Sequence, residues 1–566
     1  MKELLKRNSV RSSRFRRFAL AFSALALPLI FWASFSLAKP PSKTARAPRQ
    51  SADITKFRRN VDSTLAQPTA QKSFVGILIA DADTGKTLYD LNSSRYFTPA
   101  SNTKLFTTIL AMATLGPDYH FRTTVETTGT IDTAGRLNGD IIFVGRGDPD
   151  FSNRTIPYDA KNPVTGDSDA PLAALADAIV AKGVKEIDGD IVADDSYFPY
   201  EPFPGGWAVG DMPFDYGAAV SAICFDDNGL DVKVTPGDHV GAQATVTVEP
   251  WPGYDVYDYA ITTGADDSQV AIDTVEESGS KPFLVRGSVP LGHTPVDLAM
   301  AMPDPAKYTA NVLKQLLLAR GVRIRGDVRV QHAPPPPEVV STGMTAANCC
   351  NMMPSGKPKN TSMDHALNSG PDSMVLAERD SPPLLEIIRV LNKVSENLHA
   401  EILLRAVARE KTGVGSRAAG LQVERNFLTS IGIAPSDVVV DDGSGLSREN
   451  LVTPQAVVAL LEYAHHQSWG DSFAGTLPIA GVDGTLDNRM KGTTAEGRVE
   501  AKTGSVEHTQ ALSGFATTVN GEHLVFSIFV NHNGATGRDA ANLIDTICDA
   551  MVANLGTSAK KTKKHR

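Results

Sequence analysis

Cysteine is scarce in this 566-residue chain, aromatic residues make up only 7% of it, and several short catalytic signatures are missing. The four cysteines (Cys224, Cys349, Cys350 and Cys548) are too few to staple a disulfide scaffold. They also lack the paired C-x-x-C spacing of a structural zinc site. Nothing in the sequence asks for a metal or any other cofactor. No G-x-S-x-G elbow and no H-E-x-x-H helix occurs, which leaves α/β-hydrolase and zincin readings without support. No internal repeat of fixed period is present, so solenoids and propellers are excluded. What is there in quantity is turn chemistry, with 46 Gly and 35 Pro, which suits sheets joined by loops. With 42% hydrophobic and 21% charged residues, the chain can bury sizeable cores, either as several domains or as one with large insertions.

The N-terminus carries Lys2, Lys6, Arg7, Arg11, Arg14, Arg16 and Arg17 against Glu3 alone, then an uncharged stretch from Phe18 to Ala38. A basic region, an apolar segment and the small-x-small end Ser36-Leu37-Ala38 read as a secretory signal cut after Ala38. The stretch is also long enough to serve as an uncleaved inner-membrane anchor. In both cases the positive-inside bias places the rest of the chain outside the cytoplasm, in the periplasm. Without residues 1–38 the chain has 48 Lys+Arg against 63 Asp+Glu, a net charge of −15. That acidity argues against nucleic acid as a partner. The tail at 557–566 is basic and suits at most weak contact with an anionic membrane surface.

A linker composition covers 39–54. Residues 74–80 and 87–89 flank Asp83-Thr84-Gly85 as strand, turn and strand. Helical spacing begins at Ser101, and Gly116 can close that helix. Residues 119–331 are short β-rich runs with helical stretches near 171–182 and 305–320. The 332–372 segment starts with a proline run, lacks periodicity and reads as a loop insertion. Met344, Cys349, Cys350, Met352, Met353, Met363 and His365 within it are donors that suit a soft metal such as Cu(I), but the segment reads as a loop rather than as a metal site. A long helical region is expected over 381–409, a hairpin over 511–519 and 524–530, and a helix near 537–554.

Chemistry gathers at three places. Ser101-Asn102-Thr103-Lys104 sets a hydroxyl and an amine at i and i+3 on a helix start, so the amine can take the serine's proton. Taken alone the pattern is weak, because three other S-x-x-K matches occur, at Ser36, Ser278 and Ser558. Ser395-Glu396-Asn397 is the sole S-x-N in the chain, and Lys502-Thr503-Gly504-Ser505 stands just ahead of the expected hairpin. S-x-x-K, S-x-N and K-T-G in that order mark serine penicillin-recognising enzymes. The second K-T-G, Lys411–Gly413, has no strand after it and reads as a helix end. His399 sits two residues past Asn397 on the expected helix, points away from it and reads as structural.

With these motifs the chain resembles the D-alanyl-D-alanine carboxypeptidase/endopeptidase family of low-molecular-mass, class C penicillin-binding proteins, the branch with a large insertion after the nucleophile helix. Almost three hundred residues separate Ser101 from Ser395. Further matches are Gly147-Asp148-Pro149, Ser381-Pro382-Pro383-Leu384, Asp442-Gly443-Ser444-Gly445-Leu446-Ser447 and Gly481-Val482-Asp483-Gly484-Thr485-Leu486. The resemblance implies an α+β fold: a penicillin-recognising serine transpeptidase/β-lactamase-like catalytic domain of helices on an antiparallel sheet, built from 55–118 and 373–556. It implies that 119–331 are β-rich inserted, non-catalytic domains, one nested in the other.

The resemblance further implies an acyl-enzyme on Ser101, with Lys104 as its base and Ser395 relaying a proton. Asn397, Lys502, Thr503, Gly504 and Ser505 would hold substrate, and the amides of Ser101 and Ser505 would stabilise the oxyanion. Substrates would be peptidoglycan stem peptides ending in D-Ala, and β-lactam antibiotics would be covalent inhibitors. Lys104 would be kept neutral by burial and by Lys502. Asp442–Ser447 reads as a structural turn, and Asp483 and Arg489 as members of surface ion pairs. No Glu-x-x-x-Asn lies between Asn397 and Lys502, which disfavours the deacylation machinery of class A β-lactamases. A silent, wall-binding scaffold of the same fold is the alternative, and three intact motifs argue against it.

Overall fold

The computed structural model describes residues 52–335 and 373–555, apart from 162, 255, 277–282 and 535. The expected export segment, nearly all of the 39–54 linker, the 332–372 insertion beyond its first four residues and the basic tail lie outside the described residues. Among the described residues no helix is long and apolar enough to cross a membrane.

The half expected to be catalytic is assembled from both ends of the chain. Helix α1 (Ala52–Leu65) begins slightly before the boundary expected at 55, and strands β1 (Phe74–Asp81) and β2 (Thr87–Leu91) follow. Next come α2 (Lys104–Leu115), α3 (Leu384–Val390), α4 (Asn397–Thr412), α5 (Arg417–Ser430) and α6 (Pro454–His465). Strands β3 (Val499–Val506), β4 (Thr509–Thr517) and β5 (His523–Asn531) and helix α7 (Gly537–Asn554) complete it. The sheet runs β2-β1-β5-β4-β3 with antiparallel pairing throughout.

Period-two alternation decides what each face of that sheet covers. Leu78, Ala80, Val525 and Phe529 pack under the layer containing α2 to α6. Val75, Ile77, Ile79, Phe526, Ile528 and Val530 pack on the side of α1 and α7. Both faces are buried, so the strands read as nearly continuous apolar runs. Helix α2 is buried from Lys104 through Met112 because it runs inside its layer, and Gly116 ends it at φ +87°.

Residues from 122 onward form a second core. Its main sheet is ordered Val328–Ala333, Ile191–Pro199, Ile141–Val144, Arg122–Thr127, Met374–Asp380, beside helices Ala170–Ala181 and Pro305–Ala319. Between Pro199 and Pro305 the chain adds two three-stranded sheets from the stretch 229–301.

The strand Met374–Asp380 corrects the boundary placed at 373. It pairs antiparallel with Arg122–Thr127 and gives Leu376 and Ala377 to the insert's core. The outgoing and returning chains are stitched at Phe121 and Ser381, where Ser381 N–H donates to Phe121 O at 2.8 Å and Phe121 N–H to Ser381 Oγ at 2.9 Å. The return to the catalytic half therefore falls at Ser381.

The long helical region expected over 381–409 is present as two helices with a break between them. A π-helical turn, Leu391–Ser395, follows α3, and Ser395 takes a left-handed φ of +69°. Helix α4 then restarts behind Glu396, whose carboxylate caps the Leu398 amide at 3.2 Å. A non-glycine residue in this region costs about 1–3 kcal/mol and marks a place held by its surroundings.

Candidate active site

Ser101 sits in the 3-10 turn Ala100–Thr103 that feeds α2. One turn on, Lys104 reaches back, and its Nζ donates to Ser101 Oγ at 2.9 Å. The same nitrogen donates to Asn397 Oδ1 at 2.6 Å and to the Ser444 carbonyl at 2.7 Å. Three acceptors thus surround one amine and fix its direction. The side chain is fully buried. Burial lowers its pKa to about 8, against the charges of Asp442, Glu396 and Glu401, which push it up. An amine at that value is neutral in roughly a tenth of molecules at pH 7, enough for a base that works by equilibrium.

The sequence reading gives Lys502 a share in lowering Lys104; the structure assigns that lowering to burial. The effect between the two lysines falls on Lys502, lowered well below the ordinary value by burial and then by the Lys104 charge. Lys502 lies on β3, and its Nζ donates to Ser395 Oγ at 2.7 Å and to the Thr503 carbonyl at 3.1 Å. Asn102 Nδ2 donates to Lys502 O at 3.0 Å and ties the Ser101 turn to this strand. Gly504 is required by closeness: a Cβ there would lie 2.6 Å from the Pro99 carbonyl. The hydroxyls of Thr503 and Thr485 are 2.7 Å apart, and Ser505 Oγ accepts from Gln510 Nε2 at 2.7 Å.

All eight candidate residues are therefore brought to one place. Ser101, Ser395, Asn397 and Ser505 line a cleft of about 300 Å³, together with Gly445, Leu446, Val506, Asp211, Tyr216 and Arg448. Lys104 and Lys502 lie beneath it, each bonded to one serine hydroxyl. The arrangement offers two hydroxyls, each with its own buried amine, facing a common space.

Asp211, Tyr216 and Arg448 carry no motif that marks them in the sequence. Residues 119–331, read as non-catalytic, supply Asp211 and Tyr216, and the Tyr216 carbonyl accepts from Asn397 Nδ2 at 2.8 Å. A main-chain contact of this kind leaves no trace in side-chain pattern. Asp211 pairs with Arg448 at 2.6 Å. The Asp442–Ser447 loop did carry a signal, its glycine pattern, and it is a tight turn as expected. Gly445 has φ +86°, and a Cβ on it would meet Ala100 O at 1.9 Å. The loop also hands Lys104 one of its acceptors. Asp442 organises it by accepting from Gly445 N at 2.8 Å, Ser447 N at 2.8 Å and, from the insert, Trp207 Nε1 at 3.0 Å.

His399 is buried and meets Asp227 Oδ1 at 2.8 Å, so it is a structural member of an inter-half contact. Burial opposes the charged ring, but Asp227 outweighs it and raises the His399 pKa. Asp483 pairs with Lys393 at 2.6 Å and Arg489 with Asp545 at 2.6 Å. Gly413, at φ +77°, caps the end of α4, so the second K-T-G is a helix end. Cys224 and Cys548 are buried free thiols. Among the described residues no group of three or more His, Cys, Asp or Glu is arranged to hold a metal; the Met/Cys cluster lies outside them.

Comparison with known proteins adds the context. A family model described as D-Ala-D-Ala carboxypeptidase 3 (S13) matches residues 57–346 and 361–551. A D-alanyl-D-alanine carboxypeptidase of Actinomadura sp. (strain R39) is 32% identical over 91% of this chain and 88% of its own length. D-alanyl-D-alanine carboxypeptidase DacB of Haemophilus influenzae is 25% identical over 83% of this chain and 88% of its own length. The crystal structure of penicillin binding protein 4 from Haemophilus influenzae superposes with a TM-score of 0.70 at 24% identity, covering 87% of this chain and 98% of that one. The last likeness bears out the expected catalytic fold.

Proposed function

Because the chain belongs to the D-Ala-D-Ala carboxypeptidase 3 (S13) family and is therefore a serine peptidase, we propose that it cleaves D-Ala-terminated peptidoglycan stem peptides through an acyl-enzyme on Ser101. The observation that carries this reading is the 2.9 Å contact between Lys104 Nζ and Ser101 Oγ at the floor of the cleft. A neutral Lys104 takes the Ser101 proton as Oγ attacks the carbonyl of the D-Ala-D-X bond. The leaving amine collects a proton relayed through Ser395, whose hydroxyl is held by Lys502. Water then hydrolyses the ester and regenerates Ser101. The amides of Ser101 and Ser505 stabilise the oxyanion, a contribution of about 10²–10³ in rate per donor. Lys502, Thr503 and Ser505 receive the terminal carboxylate, and the second N–H of the Asn397 amide donates to a substrate carbonyl.

The same attack on a β-lactam ring gives a stable ester, so penicillins act as covalent inhibitors. Residues 1–38 export the chain, and it works in the periplasm against the cell wall; the basic and apolar N-terminal pattern supports this.

Labelling with a fluorescent penicillin tests the reading. The wild-type chain takes up one label that is absent from Ser101→Ala, and it releases D-Ala or splits cross-links in isolated muropeptides. A folded wild-type chain that takes no label, or a Ser101→Ala variant labelled like wild type, overturns it.

A further inference from the structure

Helix α4 presents Asn397, Glu401 and Arg405 at steps of four, on one face. Asn397 holds Lys104 directly. Glu401, fully buried, does something else: its Oε1 accepts the N–H of Gly443 at 2.8 Å and of Ser444 at 3.0 Å. The Ser444 carbonyl is the third acceptor of Lys104 Nζ. The Gly443 carbonyl accepts from Thr107 Oγ1 at 2.7 Å, one helical turn beyond Lys104. Asp442 shapes the turn from within, whereas Glu401 ties it to α4.

We propose that Glu401 is a positioning residue for the reaction: its carboxylate locks the Gly443–Ser444 turn, so that the Ser444 carbonyl and Asn397 together aim Lys104 at Ser101. This rests on the reading of Ser101 and Lys104 given above.

A buried carboxylate is costly unless it is fully paired, and Glu401 is not placed for stability. Among the described residues its Oε2 has no hydrogen-bond partner, and neither have Nε and Nη1 of Arg405 one turn away. Arg405 instead donates through Nη2 to the Glu201 carbonyl at 2.7 Å. An apolar side chain would fill the same space at less cost, but it would leave two adjacent amides without an acceptor. Those amides belong to the turn that holds Lys104. The charged groups facing this cluster are Asp442 on the loop, Glu396 before α4, Arg405 on α4, Glu424 on α5 and Lys502 on β3. Neither oxygen of Glu424 has a hydrogen-bond partner among the described residues, so it does not bond to the turn.

The experiment measures the acylation rate by a fluorescent penicillin against pH for wild type, Glu401→Ala, Glu401→Gln and Glu424→Gln, with KM for a D-Ala-D-Ala peptide alongside. Glu401→Ala is expected to slow acylation about 10²-fold, the usual cost of a small misplacement, with KM nearly unchanged. Glu401→Gln keeps an acceptor for both amides, so the rate is largely retained. The lost negative charge beside Lys104 then moves the acid limb of the profile to lower pH. Glu424→Gln moves neither. A folded Glu401→Ala chain that acylates like wild type overturns the proposal. If that variant does not fold, Glu401→Leu, which fills the space without offering an acceptor, takes its place, and wild-type acylation by it overturns the proposal. Failure of the parent reading looks different, because the wild-type chain itself then takes no label at Ser101.

Discussion

The Tyr216 carbonyl accepts a 2.8 Å hydrogen bond from Asn397 Nδ2, while Asn397 Oδ1 accepts from Lys104 Nζ at 2.6 Å. One amide therefore joins the insert to the amine beneath Ser101, and its orientation is fixed at both ends. Three further contacts cross the same junction: Trp207 to Asp442, Asp227 to His399 and Asp211 to Arg448. The segment from 207 to 227 therefore packs against the candidate site although it lies far from the three motifs in sequence.

Replacing Asn397 by Asp tests that junction. The new carboxylate favours charged Lys104 and turns the contact with Tyr216 O into an oxygen–oxygen repulsion. The acid limb of the acylation profile is expected to move above pH 8, slowing the reaction at pH 7 by about tenfold for each unit moved. The melting temperature should fall as well. An unmoved limb in a folded variant would show that Asn397 does not sense Lys104.

In the unaltered protein, acylation should follow the Lys104 pKa of about 8. The base form is the minor one below that value, so the rate rises about tenfold per pH unit through 6 and 7 and levels off above 8. Lys104→Ala should cost about 10²–10⁴ in rate while leaving non-covalent binding of a terminal D-Ala-D-Ala in place. A flat profile between pH 6 and 8.5 would contradict this assignment of the base.

Gly504→Ala puts a methyl 2.6 Å from the Pro99 carbonyl and 3.0 Å from Asn102 Nδ2. Neither neighbour is the loose end of a long side chain, so β3 and the Ser101 turn must part. Overpacking of this sort typically costs about 1–3 kcal/mol. Here it also separates Ser505 from Ser101. Loss of penicillin labelling out of proportion to the drop in melting temperature is the expected signature.

The sequence makes local features legible and non-local ones opaque. The helix near 537–554 and the hairpin of β4 and β5 lie where expected, because their periodicity and turns are complete within a few residues. Ser101 and Lys104 are legible because i and i+3 fix their contact. The break at Ser395 is not, since a left-handed serine after a π turn leaves no local pattern, and its hydroxyl partner Lys502 is remote in sequence. The boundary at 373 fails for a similar reason: Met374–Asp380 is a strand by its partner, Arg122–Thr127, which is remote in sequence. Tyr216 contributes a carbonyl, and any residue has one. Glu401 looks like one more helix glutamate until the fold shows it buried against two amides.

Glu424 offers a test of the buried charge beneath the site through stability alone. It is fully buried on α5 and neither of its oxygens has a hydrogen-bond partner among the described residues. Burial first, then Asp442 and Glu401, pushes its pKa from 4.5 up to about 8. The folded chain therefore keeps a proton that the unfolded chain releases above 4.5. Between pH 4.5 and 8 the unfolded state binds fewer protons, so stability falls as pH rises, by up to about 1.4 kcal/mol per unit from this group. Glu401, raised to about 7, adds to the slope in the same direction. Glu424→Gln removes the Glu424 part. Urea unfolding at pH 5, 6.5 and 8 should show the variant little changed at pH 5 and progressively more stable than wild type toward pH 8. Parallel stability curves for the two proteins would mean that Glu424 is ionised in the fold, with a partner that compensates its charge.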